Sequence, residues 1–168
     1  IVAGGPREEV PPLKYYNQIN YWIGVDEGSL LLLENDIHPN LSIGDFDSVD
    51  EQTFERIQKD SQKFLRYPQD KNETDLELAI KEAIKLSPTT VFIFGATGGR
   101  LDHEWMNIML LKQFADVNLN AWIVNRNNEV TMKLPGTHEL HKDEQYPYIS
   151  FLPFSKEVLG LNLQGFKY

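Results

Sequence analysis

Short apolar runs and helical periodicities alternate along the first two-thirds of the chain. Apolar, strand-like runs end in turns rich in glycine, proline or aspartate, at residues 1–3, 21–25, 41–43, 63–67 and 90–94. Apolar positions recur at helical spacing within residues 74–86 and 101–114, and residues 30–33 form a further apolar helical turn. This alternation predicts an α/β fold, with a mostly parallel sheet and helices on both of its faces. We expect Trp105, on the helical face of Leu101 and Leu111, and Trp122 to lie in the core.

The pattern changes after Asn125. Short strand-like runs at residues 129–134, 137–141 and 146–154 are joined by turns, one of them Pro135-Gly136. We therefore predict an α/β domain at residues 1–125 and the start of an all-β, sandwich-like domain at residues 126–168. Because the first and last residues both fall inside strand-like runs, we expect the chain to be a fragment and its second domain to be partial.

Composition and charge restrict the partners of the chain. Its 168 residues carry a formal net charge of −9, which argues against nucleic acid or an acidic membrane as the main partner. No apolar run approaches the roughly 20 residues that span a bilayer. The chain has no cysteine, which excludes disulfides and thiolate metal sites and fits a cytoplasmic protein.

Charged side chains follow the predicted strands, at the edge of an open α/β sheet where ligands bind. The acidic members are Asp45, Asp47, Asp70, Asp75 and Asp102, while Gly5, Asp26 and Arg100 lie at the same edge. Carboxylates this close together repel one another and need a cation to coexist. Mg²⁺ accepts carboxylate oxygens and bridges to substrate phosphates, so this edge predicts a magnesium–polyphosphate site. We expect Arg100 and Lys71 to contact the phosphates.

The run GATGGRLDHEWMN at residues 95–107 strengthens that interpretation. Its glycines let the backbone approach a ligand closely, while Arg100 offers a planar fork to phosphate oxygens and Asp102 offers hard oxygens to a metal. The chain has neither a GxxxxGK[ST] motif nor a complete GxGxxG motif, so it belongs to neither common class of nucleotide-binding loop.

Local structure offers a second explanation for several of these residues. Ser48 and Thr74, each with a glutamate three residues later, match the capping box that starts a helix. Capping does not explain why Asp45 and Asp47 stand two residues apart before Ser48. We expect His103 to form a hydrogen bond at the start of a helix rather than to act as a base.

Three motifs coincide in order and spacing, GDFDS at residues 44–48, DKNETD at residues 70–75 and GGRLDH at residues 98–103. Together with AGG at residues 3–5, GVDEGS at residues 24–29 and Asn107, they resemble the thiamin pyrophosphokinase family, also called thiamin diphosphokinase. The match covers residues 1–125 well and the remainder loosely. It implies transfer of pyrophosphate from ATP to the hydroxyethyl group of thiamin, which gives thiamin diphosphate and AMP.

The resemblance also implies a fold and an assembly. The family combines a Rossmann-like α/β domain with a β-sandwich-like domain, and its members are homodimers with active sites between subunits. Residues 1–125 would then form the nucleotide-binding catalytic domain, and residues 126–168 would begin the domain that binds thiamin and dimerises.

Residue roles follow from the same motifs. The resemblance assigns catalytic roles to Asp45, Asp47, Asp75 and Asp102. It assigns Mg²⁺ to Asp45, Asp47 and Asp75, with Asp70 supporting the metal cluster. Contacts to the nucleotide, its phosphates or the substrate are implied for Asp26, Ser48, Lys71, Thr74, Arg100, Asp102, His103 and Asn107.

Two functions of other classes remain open. Asp45-Phe46-Asp47-Ser48 has the form of a haloacid-dehalogenase-type phosphatase or phosphotransferase motif, in which Asp45 would be the nucleophile. That motif usually opens its domain, whereas two strand units precede it here. The second alternative is a non-catalytic module that binds Mg-nucleotide without turnover.

Overall fold

The computed structural model describes residues 1–167, which form two units, one at Ile1–His138 and one that begins at Glu139. The first unit contains all the helices and strands of the described residues. Its strands are β1 (Ile23–Val25), β2 (Leu41–Gly44), β3 (Phe64–Arg66), β4 (Thr90–Phe94), β5 (Asn120–Val124) and β6 (Glu129–Val130). Its α-helices are α1 (Glu27–Glu34), α2 (Glu51–Asp60), α3 (Asp75–Lys85) and α4 (Leu101–Asp116), preceded by 3₁₀ turns at Arg7–Glu9 and Leu13–Tyr15.

Val2 joins two groups of three strands, β1-β2-β3 and β4-β5-β6, because it pairs in parallel with both Gly24 and Phe94. The Val2 N–H donates to Ile23 O at 2.8 Å, and the Ala3 N–H donates to Phe94 O at 2.8 Å. All pairs of named strands are parallel except that of β5 with β6. The chain therefore runs outward from Val2 to β3 and returns to the other side of Val2 at β4, and the predicted α/β class is confirmed.

The helices cover both faces of this sheet. Ile93 packs in a cluster with buried residues of α3 and α4, whereas its neighbour Phe94 packs with Leu32 of α1. Successive strand residues point to opposite faces, so α3 and α4 lie on one face and α1 on the other. Trp122 is half-buried beside the second of these clusters.

The structure corrects the prediction for the first half of α4. Trp105 is 65% exposed and Leu101 is 77% exposed, so the expected core position of Trp105 is wrong. The buried residues of the helix, such as Leu111 and Phe114, all lie in its C-terminal half. Helical periodicity identifies which residues share a face, but it does not tell how far the neighbouring elements extend along that face.

The strand predictions beyond residue 125 are mostly wrong. The run at residues 129–134 shortens to β6, and residues 131–167 of the described chain carry no strand at 137–141 or 146–154. Alternating apolar residues make a strand only where a second strand supplies hydrogen bonds. In the second unit most of the large apolar side chains are exposed, including Tyr148 at 91% and Leu152 at 86%. Among the described residues, the helices are too short or too polar to cross a membrane.

Candidate metal and phosphate site

The turn after β2 is built around a buried phenylalanine. Phe46 is 3% exposed and stacks on Phe64 with ring centroids 4.7 Å apart, inside a cluster that includes residues of α1 and α2. Its φ of 59° is uncommon for a side chain of this size, so packing of the ring holds the turn in place. Asp45 and Asp47 stand on either side of this anchor.

Strand register brings Asp26 beside the same turn. Val25 pairs with Ile43, and therefore the residue after β1 lies next to the end of β2. Asp26 precedes α1 but does not cap it with its side chain; its Oδ1 instead accepts a hydrogen bond from the Phe46 N–H at 3.1 Å. A Cβ at Gly44 would overlap with Asp26 Oδ1, so glycine leaves room for the Asp26 carboxylate in its present position.

A capped helix supplies the third carboxylate. Thr74 precedes α3, and its Oγ1 accepts a hydrogen bond from the Glu77 N–H at 3.1 Å, as the capping-box pattern predicts. Asp75 is consequently the first residue of α3, at the positive end of the helix dipole, where a carboxylate is stabilised.

Asp26, Asp45 and Asp75 meet in one group, which with Lys71 we call the acidic cluster. One carboxylate oxygen from each aspartate lies within 4.8 Å of the others. The Lys71 Nζ lies 3.0 Å from Asp75 Oδ1 and 3.6 Å from Asp45 Oδ2. The side chains of Lys71, Asp45 and Asp75 are only 11%, 15% and 18% exposed, so water screens their charges weakly.

Burial and charge shift the ionisation of this cluster. Burial, followed by the negative charge of Asp75, raises the pKa of Asp26 to about 7, and the hydrogen bond from the Phe46 N–H only partly opposes this rise. Burial opposes the charge of Lys71, but the neighbouring Asp75, Asp45 and Asp26 outweigh it and hold the pKa of the ammonium above its ordinary value. At neutral pH the cluster therefore contains a cationic lysine and an aspartate near its midpoint of titration.

The donor set of the acidic cluster fits a hard divalent cation. Three carboxylates from three separate segments offer oxygens to a common point, and each is half-buried. Mg²⁺ prefers such oxygens and completes its shell with water or phosphate. Asp26, Asp45 and Asp75 would hold the ion.

Two predicted metal ligands lie outside this group. Asp47 is exposed, and its Oδ2 accepts a hydrogen bond from Gln69 Nε2 at 2.6 Å. Its own N–H donates to Asp45 Oδ1 at 3.1 Å, so it stays tied to the turn. Asp70 is also exposed and does not belong to the three-aspartate group. The metal roles of Asp47 and Asp70 stay predictions.

Arg100 and Asp102 form a separate, local pair before and within the first turn of α4. Arg100 Nη2 donates to Asp102 Oδ2 at 2.6 Å, and Nε donates to Oδ1 at 3.1 Å. Their side chains are 70% and 64% exposed, and their neighbour His103 is exposed as well. Exposure leaves the guanidinium fork free to turn to a phosphate.

Hydrogen bonds tie the loop at residues 95–100 to neighbouring segments. Gly95 has φ of 66°, and its carbonyl accepts a hydrogen bond from the Gly5 N–H at 2.9 Å. Asn107 Nδ2 donates to Ala96 O at 2.8 Å, which ties α4 to the loop. The side chain of Asn107 thus has a positioning role here, and its predicted contact to the nucleotide or substrate stays a prediction.

The predicted cap at Ser48 is wrong. Helix α2 begins two residues later than that pattern implies, and Asp50 Oδ1 accepts the capping hydrogen bond from the Thr53 N–H at 2.7 Å. Ser48 lies exposed in the turn between Asp47 and α2. Its predicted nucleotide contact stays a prediction.

Sequence reasoning placed Asp26 at the right edge but missed its place among the carboxylates that could hold a metal. A signal was available, because Asp26 follows the strand that pairs with the strand before Asp45. Sequence reasoning also assigned Lys71 to phosphate alone, whereas the structure puts its ammonium between two aspartates.

Fold and site together define a class, an α/β protein with an acidic, cation-accepting site at the carboxyl edge of its sheet. The family model described as "Thiamin pyrophosphokinase, catalytic domain" matches residues 13–123, and "Thiamin pyrophosphokinase, vitamin B1 binding domain" matches residues 137–168. The thiamine pyrophosphokinase of Bacillus subtilis is 43% identical over 169 residues, which span all of this chain and 79% of the relative.

Solved structures agree with the family models. The Bacillus subtilis thiamine pyrophosphokinase structure superposes with a TM-score of 0.77 at 39% identity, over 85% of this chain and 67% of that one. The Geobacillus thermodenitrificans thiamin pyrophosphokinase superposes with a TM-score of 0.76 at 38% identity, over 86% of this chain and 67% of that one. Yeast thiamin pyrophosphokinase, with a TM-score of 0.56 at 14% identity over 73% of this chain and 56% of its own, shares the fold. The chain belongs to the thiamin pyrophosphokinase family.

Proposed function

We propose that this chain transfers a pyrophosphoryl group from Mg-ATP to thiamin and releases thiamin diphosphate and AMP. Its family membership supports the reaction class. The observation that supports the chemistry is the acidic cluster, where three half-buried carboxylates converge on one point at the ligand-binding edge of the sheet.

The reaction is a substitution at the β-phosphorus of ATP. The thiamin hydroxyl oxygen forms a bond to the β-phosphorus, the bond from that phosphorus to the α–β bridging oxygen breaks, and AMP leaves with the oxygen. The hydroxyl proton passes to solvent. Catalysis of this kind depends on positioning and on stabilisation of charge on the phosphate oxygens.

Different residues would hold the metal, contact the phosphates and position the other side chains. Asp26, Asp45 and Asp75 would hold Mg²⁺, which when bound supplies positive charge to the bridging oxygens of the nucleotide. Arg100 and Lys71 would contact phosphate oxygens, and Asp102 would orient Arg100 through their paired hydrogen bonds. Thr74 holds the start of α3 and thereby the position of Asp75.

Product analysis tests the proposal. The purified chain is incubated with ATP, Mg²⁺ and thiamin, and nucleotides and thiamin esters are quantified; omission of thiamin is the control. AMP formed in step with thiamin diphosphate is the expected result. ADP would indicate γ-phosphate transfer, and free phosphate with a trapped phosphoaspartate at Asp45 would indicate the haloacid-dehalogenase alternative. Nucleotide binding without any product would indicate the non-catalytic module.

Assembly, domain roles and compartment belong to the same proposal. The family resemblance supports a homodimer in the cytoplasm, with residues 126–168 in the thiamin-binding domain. Sedimentation of the purified chain tests the dimer, and cell fractionation tests the compartment.

A further inference from the structure

Lys71 places a positive charge inside the group of carboxylates that would hold a divalent cation. Its ammonium lies 3.0 Å from Asp75 Oδ1 and 3.6 Å from Asp45 Oδ2, and its side chain is only 11% exposed. The third described contact of this ammonium is with a neutral group, the Pro68 carbonyl oxygen, at 3.2 Å. The two aspartates therefore provide the electrostatic attraction that keeps the ammonium in the cluster.

The cluster needs such a charge when no other cation is bound. The carboxylate oxygens of Asp26, Asp45 and Asp75 lie within 4.8 Å of one another in a half-buried place, where like charges repel strongly. One ammonium compensates part of this charge. This ammonium belongs to Lys71, a residue of the chain itself.

A divalent ion held by the three aspartates and this ammonium would compete for the carboxylates of Asp45 and Asp75. Mg²⁺ binds carboxylate oxygens at about 2.0–2.1 Å, so an ion shared by Asp45 and Asp75 would lie against the present position of the Lys71 Nζ. Two cations that close repel each other, and the carboxylate oxygens that now face the ammonium would face the metal instead. The flexible stem of lysine allows its head to move away while the backbone stays in place.

We propose that Lys71 is an exchangeable counter-ion of the metal site, which holds Asp45 and Asp75 until a divalent cation displaces it toward the phosphates of the nucleotide. This proposal rests on the proposed function of the cluster. Its consequence is a binding order. Metal alone must displace the ammonium from the aspartates and offers it no new anionic partner. Mg-nucleotide brings a dication for the aspartates and also phosphate oxygens for Lys71. Mg-nucleotide should therefore bind against less competition from the ammonium than metal alone.

Metal titration tests the exchange without any catalytic assay. Free Mn²⁺ is followed by electron paramagnetic resonance in the absence of nucleotide, for the unchanged chain, for Lys71→Met and for Lys81→Met. Lys81 is a matched control, because its Nζ also contacts two carboxylates, Glu73 before α3 and Glu77 within α3, each at 3.1 Å, but its side chain is 41% exposed. We expect Lys71→Met to bind Mn²⁺ about tenfold more tightly than the unchanged chain, because the competing charge is gone, and Lys81→Met to match the unchanged chain. Equal, weaker or undetectable Mn²⁺ binding by Lys71→Met would overturn the proposal.

A second measurement uses the unchanged chain, so it does not depend on the folding of a variant. Lysine amines are acetylated for a short time and located by mass spectrometry, first without metal, then with saturating Mg²⁺, then with Mg²⁺ and a non-hydrolysable ATP analogue. We expect acetylation of Lys71 to rise several-fold with Mg²⁺ and to fall again with the nucleotide, while Lys81 stays constant. Unchanged or greater protection of Lys71 with Mg²⁺ alone would contradict displacement.

These outcomes are separable from those of the product assay. If the chain makes no thiamin diphosphate but Mn²⁺ binding tightens in Lys71→Met, the exchange holds and the proposed reaction fails. If thiamin diphosphate and AMP form but Lys71→Met binds Mn²⁺ no more tightly, the reaction holds and the exchange fails.

Discussion

Two charged regions at the carboxyl edge of the sheet differ in how they are made. The acidic cluster joins residues from the ends of β1 and β2, the loop before α3 and the start of α3, and the side chains of Lys71, Asp45 and Asp75 are 11–18% exposed. The Arg100–Asp102 pair joins residues two apart on one turn, and its side chains are 70% and 64% exposed. Both belong to recognisable motifs. Only the first depends on long-range packing, so only there should a change of charge alter ion binding and stability together.

Asp45→Asn should have the largest effect. It removes one charge from the group that would hold the cation but keeps the size of the side chain. We expect the rate of AMP formation to fall roughly 10³-fold, by analogy with the loss of other preorganised electrostatic groups. Asp36→Asn, on an exposed turn, is the control and should keep full turnover. A rate for Asp45→Asn within a factor of about two of the unchanged chain would remove the cluster from the mechanism.

Asp47→Asn compares the two aspartates of the GDFDS motif, of which Asp45 lies inside the three-aspartate group and Asp47 lies outside it. Because Asp47 is a predicted metal ligand, we expect this variant to bind or fold normally yet to lose turnover, although Asp47 is exposed and lies outside the three-aspartate group. Steady-state turnover measured beside Asp45→Asn decides whether the two residues act together. Near-normal turnover would restrict the catalytic carboxylates near this turn to those of the acidic cluster.

Arg100→Met tests the exposed region. The exposed Arg100 can turn its fork from Asp102 to a phosphate, so its loss should raise the KM for ATP by roughly 10- to 100-fold and change unfolding little. Arg100→Lys keeps the charge without the fork and should recover part of the loss. The measurement is turnover against ATP concentration at fixed thiamin, and an unchanged KM would mean that the Arg100 side chain does not contact the phosphates.

The sequence predicts what is local in both regions. β4 was expected at residues 90–94 and is found at Thr90–Phe94, and α3 begins at Asp75 after its predicted cap Thr74. These features depend on residues only a few positions apart. The general location of the site was predictable as well, because the carboxyl ends of parallel strands share one edge.

What could not be predicted depends on long-range neighbours. Asp26 turns to the Phe46 N–H because β1 pairs with β2 at a particular register, which no local pattern specifies. Trp105 lies exposed because the core buries α4 mainly along its C-terminal half, where all the fully buried residues of the helix lie. The strands expected at residues 137–141 and 146–154 did not form, since a strand pattern does not supply a partner strand.

Asp26→Asn should show that the charge of the acidic cluster, unlike that of the Arg100–Asp102 pair, makes the stability of the fold depend on pH. The pKa of Asp26 is about 7 in the folded chain, above its ordinary value, so between about pH 4 and pH 7 the folded state binds more protons than the unfolded state. Stability from this group is therefore present at low pH and is lost as pH rises toward 7. Asparagine keeps the acceptor for the Phe46 N–H and has no such loss.

We expect Asp26→Asn to be more stable than the unchanged chain by about 1–3 kcal/mol above pH 7, with the difference vanishing near pH 4. Urea unfolding in the presence of a chelator, repeated from pH 4 to pH 8, measures it. A difference that does not depend on pH would show that Asp26 keeps an ordinary pKa and that the cluster is more hydrated than its burial indicates.

Asp102→Asn should have the smallest effect on stability. Its carboxylate pairs with Arg100 in full contact with water, and exposed ion pairs of this kind add little to folding because solvent screens them. The urea midpoint should match that of the unchanged chain at both low and high salt, while the KM for ATP rises because Arg100 loses the partner that orients it. A lowered midpoint would mean that the pair holds the loop at residues 95–100 and the start of α4 in place. In both regions, a change of charge would then alter the stability of the fold. The Arg100–Asp102 pair and the acidic cluster would differ only in the size of that effect.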